Sequence, residues 1–398
     1  MTATTVTPTP FVPIQTRSER PASFDPEFFS KPTIREANWK LSDLARLAPL
    51  FEAAPSDDRE GDPAVAVDLS QVPAEVLAPG LAQGEAPRGT VLIPEDLPSA
   101  IASAHTASAT HLRVPKNTQF AEPITVQLTG AGSTRRSNQH FVLEALPGSE
   151  ATIVLEHRGS ALLTQNVEIL VHDTARLTVI SVQEWDDEAV HASAHTATVG
   201  AAAFLRHIVV TFGGGAVRLN PSLHLSGSGA EGEMYGLAFA DAGQHLESQV
   251  YLHHDGPHTR GDVLYKGALQ GTNARTVWIG DVLIGPDAVG TDSYEANRNL
   301  VLTDGARADS IPNLEIETGD IQGAGHASAT GRFDDEQLFY LESRGVPEEQ
   351  ARRLVVLGFL MEIVQKLGVA ALEERLAKSI DHELARGAGL PLASKAGA

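Results

Sequence analysis

From about His111 onward, apolar and polar residues alternate in short runs. They include Ile124–Leu128, Phe141–Ala145, Thr152–Glu156, Val167–Val171, Leu177–Val182 and Phe204–Val210. The same texture continues through Leu223–Leu225, Val250–His253, Val263–Leu269, Thr276–Ile279, Val282–Ile284, Asn299–Leu302 and Leu314–Glu317. Period-two alternation predicts strands, because successive side chains leave a strand on opposite faces. No helix-length segment separates the runs, which argues against a doubly wound sheet. Turn-like segments punctuate them: GSEA (Gly148–Ala151), DTA (Asp173–Ala175), GAAA (Gly200–Ala203), GPDA (Gly285–Ala288) and DGARA (Asp304–Ala308). The first three recur at roughly 25-residue steps, the spacing of stacked coils that bury their apolar faces on one another. The pattern predicts a β-solenoid, with a β-sandwich as the alternative.

The alternation stops after Arg332 and helical spacing takes over. Asp334 and Gln337 sit at capping-box separation, Gly345 ends that segment and Pro347 opens the next. Leu354, Leu357, Met361, Val364 and Leu367 form one stripe, ended by Gly368. Leu372, Leu376, Ile380 and Leu384 form another, ended by Gly387. These stripes are more apolar than a lone helical tail requires, so they either pack on the solenoid end or dock a partner. At the other end, residues 1–30 are rich in Thr, Pro and Ser and read as a loose arm. Trp39, Leu41, Leu44, Leu47 and Leu50 predict one or two short amphipathic helices between Pro32 and Phe51. Ala54–Gly61 reads as a linker and Ser99–His105 as a further helical turn. The resulting division is an N-terminal arm and helical region (1–100), a solenoid core (101–332) and a C-terminal helical domain (333–398).

Composition narrows the function. A net charge of −21 argues against nucleic acid and against an anionic membrane surface. The start of the chain lacks the basic and apolar regions of a secretory signal, and no apolar run is long enough for a membrane helix. A cytoplasmic location is the expectation. Zero cysteines exclude disulfides, thiolate metal sites and a Cys nucleophile. GPDAVGTD (Gly285–Asp292) has the glycine spacing of a phosphate loop without its lysine, and neither HExxH nor GxSxG occurs.

Fifteen histidines invite a metal reading. The densest group is His253, His254, Asp255 and His258. Neighbours on a strand point apart, so His253 and His254 cannot chelate together, whereas His254 and His258 can meet across the Gly-Pro turn. His191 and His195 share the same spacing. His326 stands apart from these, between Gly323-Ala324-Gly325 and Ala327-Ser328-Ala329. Small neighbours leave an imidazole accessible and let another body approach the backbone. A neutral imidazole is a good iron ligand, yet one histidine cannot hold a cluster without ligands from a partner. Asp334 and Asp335 are adjacent acids at a helix start, better read as a cap than as a glycosidase pair.

Several long segments, in order, resemble the SufB/SufD family of iron–sulfur cluster assembly proteins. They are REANWKLSDL (Arg35–Leu44), HLRVPKNTQFAEPITV (His111–Val126), YKGALQG (Tyr265–Gly271) and TDSYEANRNLVLTDGARADSIPNLEIETGDI (Thr291–Ile321). GHASATGR (Gly325–Arg332) and DDEQLFYLESRGVPEEQARRLVVLGFL (Asp334–Leu360) complete the set. The missing cysteines point to the SufD branch. Where that branch often carries a Cys-x-His stretch, His326 matches the histidine and Ala324 stands in place of the cysteine. The resemblance implies a right-handed parallel β-helix (solenoid) core flanked by N-terminal and C-terminal helical regions. It implies a non-catalytic scaffold subunit that pairs with a SufB-like subunit through the β-helix ends, and such a chain could homodimerise through the same edge when the partner is missing. It also implies docking of SufC-type ATPases on the helices Asp335–Tyr340 and Pro347–Leu367. His326 would then touch iron or a nascent iron–sulfur cluster transiently at the interface, with no cofactor held stably by this chain alone. The rival readings are a polysaccharide lyase or hydrolase on a β-solenoid and a self-associating structural solenoid.

Overall fold

One corner of the solenoid sets its period. Gly148, Thr174, Ala202, Gly229, His258 and Gly290 all have positive φ, and they follow one another at steps of about 26 to 32 residues. Along this corner the backbone N–H of Thr174 donates to Ala201, that of Ala202 to Ser228, that of Gly229 to Pro257, and that of His258 to Val289. Each left-handed turn thus hands its donor to the coil above. Glycine takes this backbone without strain at three of the six positions, while Thr174, Ala202 and His258 hold it by these cross-coil bonds.

The computed structural model describes Arg17, residues 20–332 and residues 335–386. The chain is mainly β, a parallel β-solenoid of about eight turns with helices at both ends. The strands are β1 (Val65–Gln71), β2 (Leu81–Ala82), β3 (Ser108–Val114), β4 (Ile124–Ala145), β5 (Glu150–Val171), β6 (Arg176–Trp185), β7 (Val190–Val199) and β8 (Phe204–Thr211). They continue as β9 (Ala216–Leu225), β10 (Glu231–Ala240), β11 (His245–His254), β12 (Arg260–Leu269), β13 (Arg275–Ile284), β14 (Thr291–Val301), β15 (Arg307–Ile316) and β16 (Ile321–Arg332). The helices are α1 (Leu44–Leu47), α2 (Leu97–His105), α3 (Asp335–Ser343), α4 (Glu348–Val364) and α5 (Ala370–Arg386). From β5 upward the even strands stack in parallel on one face and the odd strands on the other. Inward-pointing Val, Leu and Ile fill the space between them.

The structure corrects several sequence expectations. The runs within 124–145 and within 150–171 are not separate strands but two 22-residue strands, β4 and β5. Gly159 turns the corner inside the ladder, where a Cβ would come within 2.5 Å of the Gly130 carbonyl oxygen, so the usual turn is dispensed with. The N-terminal region carries strands as well as helix, and β1 pairs antiparallel with β4. The helix expected between Pro32 and Phe51 shrinks to one turn, α1, followed by a 3₁₀ turn at Ala48–Phe51, where Pro49 interrupts helical pairing. Arg17 belongs to no loose arm. It is buried and donates to the Gln249 carbonyl (2.9 Å) and to Ser222 Oγ (2.7 Å). Residues 1–16, the cap at Asp334 and the stop at Gly387 lie outside the described residues.

Both outer faces carry a packed layer. On the odd face, Trp39, Leu47, Leu50, Phe51, Leu97 and Ile101 pack on Ala192 and Ala216. Arg218 fastens this layer: its guanidinium lies 3.7 Å from the Trp39 ring centroid and bonds Asp96 (2.7 Å) and Glu247 (3.2 Å). On the even face, the outward residues Ile180, Ile208, Tyr235, Leu237 and Phe239 form an apolar strip that water would otherwise contact. The α4–α5 stripes cover it, so they pack on the flank of the solenoid rather than on its end. Lys266 Nζ donates to the Phe359 carbonyl (2.7 Å), and Arg375 reaches Glu156 (2.8 Å). No helix among the described residues is long and apolar enough to cross a membrane.

Candidate functional site at the open coil

β15 pairs only with β13 and β16 only with β14, so the last coil leaves two strand edges free among the described residues. His326 sits in this coil. Its neighbours in β16 are small, and register places it directly beside Glu295 of β14. Alternation along β14 turns Glu295 inward with Ser293 and Asn297. The His326 side chain is 46% exposed whereas that of Glu295 is 1% exposed, and Nδ1 lies 3.8 Å from Oε1. That gap is too long for a hydrogen bond. Both carboxyl oxygens of Glu295 are buried without a hydrogen-bond partner. Gly280 makes the room, since a Cβ there would approach Glu295 Oε2 to 2.5 Å and the Trp278 ring to 2.3 Å. Burial, reinforced by the charge of Asp281, pushes the Glu295 carboxyl up to about 8. At neutral pH this group keeps its proton. A cation arriving at His326 would stabilise the carboxylate, so the pair can exchange a proton for a metal ion.

Below it the interior stays polar. Asn299 Nδ2 donates to Asn297 Oδ1 (2.7 Å), Ser310 Oγ (2.9 Å) and Thr330 Oγ1 (3.3 Å), tying three strands of the last coils together. Tyr265 and Trp278 line a cavity of about 20 Å³, the size of one water molecule, and their buried hydroxyl and indole N–H have no protein partner. Deeper coils bury His157, His191, His195 and His207. Burial holds His157 and His207 near about 4 and the other two well below the usual imidazole value, so all four are neutral.

The other histidine pairs suggested by spacing do not form. His254 points inward, with Nδ1 2.8 Å from Thr259 Oγ1 and Nε2 2.9 Å from Ser293 Oγ, which leaves no nitrogen for His258. His191 accepts from the Trp185 indole N–H (3.3 Å), and His195 bonds His207 (2.9 Å). Instead, His253 joins Asp255 and His224, a residue the sequence did not bring forward. His224 and His253 are in register on β9 and β11, one coil apart, and that separation was the available signal. For Glu295 the signal was an acid at an inward position of an alternating strand.

On the far side of the C-terminal helices, Phe339 is 71% exposed, with Tyr340 and Leu354 also exposed.

The family model described as SUF system FeS cluster assembly, SufBD core domain, matches residues 127–359. An iron–sulfur cluster assembly SufBD family protein of Mycobacterium bovis is 47% identical over 369 residues, covering 91% of this chain and 92% of that protein. One of Mycobacterium leprae is 47% identical over 372 residues, covering 91% and 93%. A second, different SufBD family protein of Mycobacterium bovis is 28% identical over 211 residues, covering 53% of this chain and 25% of that protein.

Proposed function

The chain belongs to the SufBD family of iron–sulfur cluster assembly proteins, and from that premise we propose that it is the SufD-like, non-catalytic scaffold subunit of a cytoplasmic SufBCD-type complex. The observation that carries this reading is the open last coil, which offers an accessible imidazole at His326 beside a buried proton-bearing carboxyl in a chain without cysteine. Such a coil supplies one or two hard-to-borderline ligands and needs thiolates from elsewhere to complete a cluster. A SufB-like partner seated on the free edges of β15 and β16 would bring them. The presence in one mycobacterium of two different SufBD relatives of this chain fits a family that works in unlike pairs. Exposed Phe339, Tyr340 and Leu354, on helices already anchored by their other face, suit docking of a SufC-type ATPase. When the partner is missing, the same edges can pair two copies of this chain. Iron or a nascent cluster is then cargo, held transiently where the two subunits meet.

The test is His326→Ala in the purified complex. Assembly should be unchanged, while iron and sulfide per complex fall by roughly half or more, because losing a ligand costs at least the ~10–100-fold in affinity seen for supporting groups. Unchanged iron and sulfide stoichiometry would reject a ligand role for this residue.

A further inference from the structure

A second group of ligands lies outside the solenoid, on the odd face. His224 projects from β9 and His253 from β11, in register on adjacent strands, and Asp255 follows directly after β11. The Asp255 carboxylate lies between the two imidazoles. Its Oδ1 is 3.0 Å from His253 Nε2 and its Oδ2 is 3.9 Å from His224 Nδ1. One ligand atom from each residue falls within 4.8 Å of the other two. The Tyr251 ring packs edge-on to His224 at 5.7 Å and against His253 at 5.8 Å, and the two imidazoles meet at 5.4 Å, which restricts their orientation. Gly285 leaves open the space beside His253 Nε2, where a Cβ would stand 3.6 Å away. The neighbouring cation, Arg17, is turned over Tyr251 and paired with Glu95 at 3.4 Å.

From this geometry we propose that His224, His253 and Asp255 bind one borderline divalent transition-metal ion, of the Fe²⁺, Co²⁺ or Zn²⁺ class, with water completing its coordination. Two imidazoles and a carboxylate are the donor set this class prefers over Mg²⁺ or Ca²⁺. Metal–ligand bonds of about 2.0–2.2 Å require the three ligand atoms, now within 4.8 Å of one another, to draw in around the ion. All three side chains are at least partly exposed, so the ion has an entry path. The site shares no residue with the His326–Glu295 pair.

The test uses the full chain, free of any affinity tag, titrated with Co²⁺ and followed by visible absorption, with anaerobic Fe²⁺ as competitor. Wild type should bind one more Co²⁺ than His253→Ala or Asp255→Asn, with the affinity of this site falling at least about tenfold in each, and Fe²⁺ should displace it. His326→Ala should keep the site. Asp255 is the most exposed of the three, so Asp255→Asn decides the matter if His253→Ala fails to fold. Wild-type titration curves for Asp255→Asn, or loss of the signal only in His326→Ala, would overturn the assignment.

Discussion

Glu295→Gln should gain about 3 kcal/mol on wild type between pH 4 and pH 7, because it removes a titration that costs wild type stability as pH rises. The carboxyl is buried with no hydrogen-bond partner, and burial together with the Asp281 charge raises it from 4.5 to about 8. Below pH 4.5 both the folded and the unfolded chain hold this proton and the titration contributes nothing. Between 4.5 and about 8 the unfolded chain releases the proton while the folded chain retains it. Stability therefore falls by about 1.4 kcal/mol per pH unit through that window and levels off above it. Glutamine keeps the shape and removes the titration. Denaturant unfolding at pH 5 and pH 7.5 checks this: the advantage of the variant should be small at the first and large at the second. Equal margins at both would show that Glu295 is not the strained group described here. A group that destabilises its own fold is commonly retained for function. On the scaffold proposal, the same substitution lowers iron loading of the complex, coupling a gain in stability to a loss at the site.

Arg218→Ala should have the opposite and larger effect, a loss of about 3–5 kcal/mol. The guanidinium is buried, and its removal takes the charged partner from two buried acids, leaving Asp96 with Ser99 and Asn220 and Glu247 with Ser42, His245 and Gln249. Asp96 Oδ2 loses its 2.7 Å partner and Glu247 its 3.2 Å partner, and the Trp39 ring loses the cation stacked on it. Burial alone would raise Glu247, but the hydrogen bond from His245, the charges of Arg218 and His245, and the bond from Ser42 together hold it near about 2. Removing Arg218 takes away one of those supports. Because Asp96 caps α2 and Trp39 anchors the N-terminal layer, that layer should loosen first. Thermal melting and limited proteolysis of the 20–60 segment read both consequences. A melting temperature within about 2 °C of wild type, with unchanged proteolysis, would mean the layer is held by its apolar contacts alone.

The parts legible in the sequence were those written by local rules. Alternation marks each strand, and the turn segments beginning at 148, 173 and 200 mark a corner that turns left-handed at Gly148, Thr174 and Ala202. What depends on neighbouring coils was less visible. The runs Thr152–Glu156 and Val167–Val171 read as two strands, yet they belong to one ladder that bends at Gly159, where the Gly130 carbonyl sits in the place of a side chain. The α4 and α5 stripes reveal an apolar face, but not that residues outward from Ile180 to Phe239 would receive it. The accessibility of His326 was legible, since its small neighbours advertise it and the side chain is half-exposed. Glu295 was not, since nothing local distinguishes an inward acid from the surface acids around it, and only stacking against Trp278 and Gly280 buries it.

The most direct test of the scaffold reading is the intact mass of the complex recovered through a tag on this chain after co-expression with SufB-like and SufC-like chains of the same source. The account expects one SufB-like chain, one copy of this chain and two ATPases. Recovery of this chain alone, as monomer or homodimer, with both candidate partners expressed and folded, would contradict it.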